Sequence, residues 1–334
     1  MVKRNTPVNL AASVGHRLRN IAKAQGEQLQ NVLNRYGLER LLYRLSQSPH
    51  RERFVLKGAL LFTLWSEEPH RRTRDLDLLG FGAEQIAEWE QVFRDICGVS
   101  VEADGLEMLT ESVRGEIIRV EEEYAGVRIK LMAMLGKARI PLQVDVGFGD
   151  VVSPAPQEMT FPTLLDLPSP ALRAYRPETV IAEKFQAMVD LGLRNTRLKD
   201  FYDIWKLAQQ FEFEGEVLAE AIRATFARRN TALPLDVPLA LSDKFAEDTL
   251  KISQWAGFLR KSALRDQGTP LLRAVREGGR SRNDGRRQER GKPGQIKPGI
   301  HHCGKAGLMA SAAFQTADAR FYPSATSPAA RSQG

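Results

Sequence analysis

The chain has 334 residues, 43% of them hydrophobic and 27% charged, which is the composition of a soluble globular protein with room for two modest domains. No apolar run approaches the roughly 20 residues that span a bilayer, and the N-terminus lacks the continuous apolar stretch of a secretory signal, so a cytoplasmic protein with no membrane partner is expected. The net charge of +7 sits unevenly, with 13 Lys+Arg against 5 Asp+Glu after residue 264, so the preceding body is near neutral and any bulk attraction to nucleic acid is assigned to the tail.

Residues 8–46 place Val14, Leu18 and Ile21, then Leu29, Val32, Leu33, Tyr36, Leu41, Leu42 and Leu45, at helical spacing, which predicts helices broken at Gly26 and Gly37. Arg17, Arg19, Lys23, Arg35, Arg40 and Arg44 on these helices form either a solvated face or a basic face for RNA. Residues 54–57 read as a strand, Gly58 as a tight turn and residues 59–65 as a buried helix. A strand, glycine turn and helix can cradle a phosphate, because backbone N–H groups face the anion and glycine admits it close to the main chain.

Asp75 and Asp77 follow on a second strand, two apart and therefore on one face, with Leu76, Leu78 and Leu79 as apolar contacts. Two carboxylates at about 4 Å in an effective dielectric near 20 repel by roughly 4 kcal/mol. A divalent cation removes that repulsion, and Mg²⁺ typically takes one or two carboxylates and completes its shell with water and substrate phosphates. Surface aspartates on an edge strand are the plainer reading of the same pair.

Residues 83–97 form an amphipathic helix with Ile86, Trp89, Val92, Phe93 and Ile96 on one side. The period then changes to two, and residues 117–123, 127–135 and 140–148 read as a meander with turns at 124–126 and 136–139. The last of these strands carries Asp145 between Val144 and Val146, a third carboxylate that a shared sheet could bring to one site of two-metal phosphoryl transfer. Left alone it would be a costly buried charge.

Residues 153–177 hold six of the 17 prolines and read as an extended connection that ends the sheet domain. Helices are predicted at 177–193, 197–211, 215–228 and 242–261, the last with Phe245, Leu250, Ile252, Trp255 and Leu259 apolar. Glu183 and Lys184 are charged positions inside the first of these, and Lys199, Asp200 and Asp203 share a face of the second at spacings that allow an intrahelical salt bridge. From residue 265 the composition turns to Gly, Arg and Pro with little to bury, which predicts disorder. His301, His302 and Cys303 are adjacent there and make a poor metal site without distant partners, while Cys97 and Cys303 supply neither a disulfide framework nor a zinc pattern. The fold class is α+β, organised as a helical segment at 1–50, a catalytic core at 51–165, a helical domain at 166–264 and a basic tail at 265–334.

The stretches VLKGALLF, RTRDLDLLGFG, LQVDVGFGD, ETVIAEKFQAMVDLG and RLKDFYDIWKL occur in an order that resembles the nucleotidyltransferase-like AbiEii/AbiGii toxin family. The resemblance implies a polymerase-β-type nucleotidyltransferase domain with a helical C-terminal half. It also implies a toxin of a toxin–antitoxin or abortive phage-infection system with a cognate antitoxin. An NTP substrate and Mg²⁺ are implied, and related MenT-type toxins imply an RNA acceptor such as the tRNA acceptor end. Carried onto this chain, the family pattern gives Lys57 and Gly58 to the phosphate turn, Asp75, Asp77 and Asp145 to metal binding and catalysis, and Lys184 to the triphosphate. Asp200, with Lys199 and Asp203 beside it, falls on the motif RxKDxxD that begins at Arg197. One departure is Ala59, where the family usually has Gly or Ser, which removes a hydroxyl that could touch phosphate. Three activities fit these residues: NMP transfer to an RNA hydroxyl, AMP transfer to a protein, and a catalytically weak nucleotide- or nucleic-acid-binding module of the same fold.

Overall fold

The computed structural model describes residues 9–65, 73, 75–82, 85–120 and 124–262. One compact unit runs to Arg176 and a second begins at Pro177. The basic tail, with His301, His302 and Cys303, lies outside the described residues.

In the first unit, alternating apolar residues build strands β1 (Phe54–Lys57), β2 (Asp75–Gly80), β3 (Leu106–Val120), β4 (Tyr124–Leu135), β5 (Ala138–Phe148), β6 (Gln157–Thr160) and β7 (Ala171–Ala174). They form one seven-stranded sheet in the order β3-β4-β5-β2-β1-β7-β6. β2 and β5 run parallel, as do β1 and β7, and the other pairs are antiparallel, so the sheet is mixed. The period-two pattern puts Leu76, Leu78, Val144, Val146 and Phe148 on a buried face.

That face is covered by helices. In chain order the unit contains α1 (Leu10–Ala24), α2 (Leu29–Gln47), α3 (Leu61–Trp65) and α4 (Ile86–Cys97). The Trp89 ring of α4 meets Phe54 of β1 edge-on at 5.4 Å and Phe148 of β5 at 5.2 Å, which ties the helix to the one end of the central strands where Phe54, Gly80 and Phe148 lie in register. Gly37 does not break a helix: α2 runs through it, and a Cβ there would come within 2.8 Å of Leu142 Cδ2. The glycine serves close packing of α2 on β5 rather than chain reversal.

The expectation of a solvated or basic face is likewise corrected on α2. Arg44 is buried and donates to both oxygens of Asp104 at 2.7 and 3.2 Å, while the Tyr36 hydroxyl donates to the Asp104 carbonyl at 2.6 Å. Arg40 is buried against Glu39 at 3.0 Å and donates to the Pro168 carbonyl, and Arg35 reaches Gln25 and Glu27. Arg17, Arg19 and Lys23 of α1 are exposed. Charges at helical spacing were legible, but Asp104 and the Pro168 carbonyl, which bury Arg44 and Arg40, come from distant parts of the chain.

Three further expectations change. β3 begins at Leu106, eleven residues before the predicted start, and residues 124–126 open β4 instead of forming a turn. The Pro-rich stretch at 153–177 carries β6 and β7, which pair with each other while β7 joins β1, so the sheet continues to Ala174 instead of ending near 165. Prolines at 154, 156, 162, 168 and 170 lie outside these short strands and so leave their ladders uninterrupted.

The second unit contains α5 (Pro177–Leu191), α6 (Leu198–Gln210), α7 (Gly215–Arg228), α8 (Asp243–Ala246) and α9 (Thr249–Lys261). Its interior is aromatic and aliphatic, with Phe185 and Phe226 5.6 Å apart and Phe201 stacked on Phe245 at 5.1 Å. The single helix predicted at 242–261 is two: Ser242 caps α8 through the Phe245 N–H, and Asp248 caps α9 through the Lys251 N–H. The second cap resets the helical phase. Trp255, Leu259 and the Lys251 stem face inward, whereas the apolar Leu250 and Ile252 are exposed. Among the described residues no helix is long and apolar enough to cross a membrane.

Candidate active site

β1 ends at Lys57, and the chain turns through Gly58 at φ 76° into a short 3₁₀ turn and then α3. Glycine is required here twice over. The positive φ is strained for any residue with a Cβ, and that Cβ would sit 2.0 Å from Asp77 Oδ2 and 2.6 Å from Asp77 Cβ. The turn is therefore pressed directly against the second aspartate of β2.

Strand register then aligns a row of charges across the sheet. Lys57 pairs with Asp77, Asp77 with Asp145, Asp145 with Arg128, and Arg128 with Glu116. Directly paired residues lie on the same face, so the row reads plus, minus, minus, plus, minus on the face opposite Leu76, Leu78, Val144 and Val146. Asp75 lies on that face too, one step along β2 and opposite Gln143. All three carboxylates are half-buried.

The cations of the row are engaged. Arg128 grips Asp145 with two parallel bonds, Nε to Oδ1 and Nη2 to Oδ2, both 2.8 Å. The bonds to Asp145 raise the Arg128 pKa above its ordinary value against an opposing desolvation, with Asp145 and Asp75 adding attraction through their charges. Lys57 Nζ donates to Asp150 Oδ2 at 2.6 Å and lies 5.4 Å from the centroid of the Tyr175 ring.

The donor set fits a hard divalent cation: three carboxylates share one face, and β-sheet register places Asp77 and Asp145 side by side. Their present arrangement is not a closed cage. Among the described residues no group of three or more His, Cys, Asp and Glu side chains is gathered to hold a metal ion, and both oxygens of Asp145 are turned to Arg128.

The remaining predicted residues meet in the second unit. Lys184 of α5 donates to Asp200 Oδ1 at 2.5 Å and lies 2.9 Å from Asp203 Oδ2, and Arg197 Nε lies 3.1 Å from Asp200 Oδ2. Asp200 and Asp203, three apart on α6, are fully buried, so one lysine from the neighbouring helix and one arginine from their own motif offset two carboxylates removed from water. Burial, and the Asp203 charge next to it, push the Tyr202 phenol up. Lys199, which shares the motif, is exposed.

The structure thus gathers Lys57, Gly58, Asp75, Asp77 and Asp145 in one unit, and Lys184, Asp200 and Asp203 in the other. Sequence reasoning missed Arg128 and Asp150. Arg128 stands on the polar side of an alternating strand and carried a signal only through register, which sequence does not print; Asp150 closes the stretch LQVDVGFGD but gives no hint of its lysine.

A sequence profile of nucleotidyl transferase AbiEii toxins of type IV toxin–antitoxin systems matches residues 40–276. The chain belongs to this family. The AbiEii match spans both units' charged clusters, from before Gly58 to beyond Asp203. Two solved structures resemble this AbiEii chain. JHP933 from Helicobacter pylori is 14% identical, with 84% of this chain and 90% of that one covered and a TM-score of 0.42. A second H. pylori protein, carrying a provisional nucleotidyltransferase name, is 17% identical over 66% of this chain and 91% of its own, with a TM-score of 0.34. No curated protein sequence matches.

Proposed function

We propose that this AbiEii family member transfers a nucleoside monophosphate from an NTP to an acceptor hydroxyl on RNA, with the tRNA acceptor end as the first candidate, from a polymerase-β-type site on the charged face of the sheet. The observation that carries the reading is the register of β2 and β5, which sets Asp77 beside Asp145 with the Gly58 turn closed onto Asp77. Asp75 and Asp77 would hold Mg²⁺. When bound, the ion supplies neutralisation of the triphosphate charge and of the charge that builds on the attacking and leaving oxygens.

The chain's own residues do the positioning. Gly58 lets the turn close directly onto Asp77, since nothing projects from its Cα, and so holds the start of α3 against that carboxylate. Lys57, braced by Asp150, adds a positive charge at the end of the row nearest that turn. Asp145, adjacent to Asp77 in register, would join Asp75 and Asp77 as the third carboxylate at the ion and help to orient or deprotonate the acceptor hydroxyl. A toxin–antitoxin family implies an antitoxin as partner.

The test is incubation of the full chain with each labelled NTP, Mg²⁺ and bulk RNA. Label is expected in RNA, and Asp77→Asn should abolish it while thermal stability holds or rises, because the change removes a ligand and a carboxylate repulsion together. Nucleotide that binds without transfer would overturn the enzyme reading, and label on protein would move the acceptor to another class. An Asp77→Asn protein that transfers normally would make the aspartate pair structural.

A further inference from the structure

The two-pronged grip of Arg128 on Asp145 is unusual for a face whose chemistry calls for a cation at the same carboxylates. Both Asp145 oxygens accept from Arg128 at 2.8 Å, the arginine side chain is 31% exposed, and the neighbouring cation Lys57 donates to Asp150. A guanidinium fork takes one lone pair on each carboxylate oxygen, the two that face the same way, so a metal ion that would bind through that side of Asp145 competes with Arg128 for it. We propose that Arg128 is a latch on the third carboxylate: Arg128 and a divalent cation are alternative partners of Asp145, and the protein without nucleotide holds Asp145 back from the metal until the arginine lets go.

Several observations make the exchange feasible. Arg128 is reached from solvent, so it can leave without unpacking the core, and its stem stands on β4, whose ladder with β5 stays intact through the backbone. Asp75 also attracts Arg128, and Glu116 faces it from β3, with Lys130 already paired to Glu116 at 2.7 Å. The arginine therefore has an acidic surround on both sides. A released guanidinium fork also suits phosphate oxygens, so an incoming triphosphate can take the arginine as the cation takes the aspartate. Arg128 is on this account a positioning residue, acting through Asp145.

The latch rests on the cation site proposed above, and its test reads metal affinity rather than turnover. Mn²⁺ alone, without nucleotide, is titrated into the full-length protein, followed by electron paramagnetic resonance of the free ion, for the wild type, Arg128→Gln, Asp145→Asn and the double variant. Opening the latch should tighten Mn²⁺ binding about tenfold in Arg128→Gln, and the gain should vanish in the Asp145→Asn background, since directly interacting groups couple strongly. A gain of the same size in both backgrounds would reduce Arg128 to a distant positive charge and overturn the latch while leaving the metal reading in place. No gain in Arg128→Gln would overturn it as well, and no Mn²⁺ binding by any of the four would remove the latch together with the site it serves. Arg128→Lys keeps the charge but not the fork. If Arg128→Gln fails to fold, this variant decides, with a gain confined to the Asp145 background supporting the latch and no gain refuting it.

Discussion

Gly58→Ala is the perturbation that probes the site's geometry most directly. Two costs are expected. The first is conformational, because a φ of 76° puts a Cβ against the following carbonyl at about 1–2 kcal/mol. The second is steric: the new methyl would lie 2.6 Å from both Cβ and Cγ of Asp77, so turning the carboxylate away does not relieve the contact and β2 itself must shift. Overpacking of this kind costs about 1–3 kcal/mol, for a total of roughly 2–5 kcal/mol. Gly26 supplies the control. It has φ 60°, nothing within 4 Å of its added Cβ, and lies in the same unit, so Gly26→Ala carries the conformational cost alone. Urea titration of both variants gives the difference, and transfer of labelled nucleotide should fall far more in Gly58→Ala because the displaced residue is Asp77. Equal losses of stability in the two variants, with transfer intact in both, would refute the close approach of the turn to Asp77.

Other outcomes follow from the buried charges. Burial pushes the Glu39 carboxyl up to about 7, against the lowering effects of the Leu164 N–H and Arg40. A carboxyl raised in the fold stabilises most below its unfolded value of 4.5, and that stability is lost as pH rises through about 7, a change on the order of 3 kcal/mol. Glu39→Gln, which keeps a carbonyl oxygen for Leu164, should therefore flatten the decline in melting temperature over this window relative to wild type; matching slopes would show that Glu39 ionises freely in the fold. Lys184→Ala leaves the fully buried Asp200 and Asp203 short of their shared cation and should destabilise the second unit by about 3–5 kcal/mol. NTP affinity of the same variant decides whether the lysine also serves the triphosphate, and an unchanged affinity would confine it to the salt-bridge cluster.

Much of the fold was legible because it rests on local periodicity. The alternation of β2 and β5 and the amphipathic pattern of α4 fix which side of each element is apolar, and Gly58 announces a turn by being the residue that tolerates it. Asp75 and Asp77 could be placed on one face from spacing alone. Short motifs in order were enough to suggest the family, since each marks a residue type that a specific backbone or charge environment demands. Local pattern failed where a partner lies far along the chain. Gly37 looked like a helix break because propensity cannot see β5 packed on it, and Arg40 and Arg44 looked solvated because Asp104 and the Pro168 carbonyl meet them only after folding. Residues 153–177 looked like a linker because four-residue strands carry almost no periodic signal. The register of β1, β2, β5 and β4 was the decisive unknown: a slip of one residue would turn every side chain of a strand to the other face. Sequence by itself determined that three carboxylates exist on strands; the tertiary pairing alone decided that Asp77 stands beside Asp145, that Gly58 closes on Asp77, and that Arg128 holds the third carboxylate.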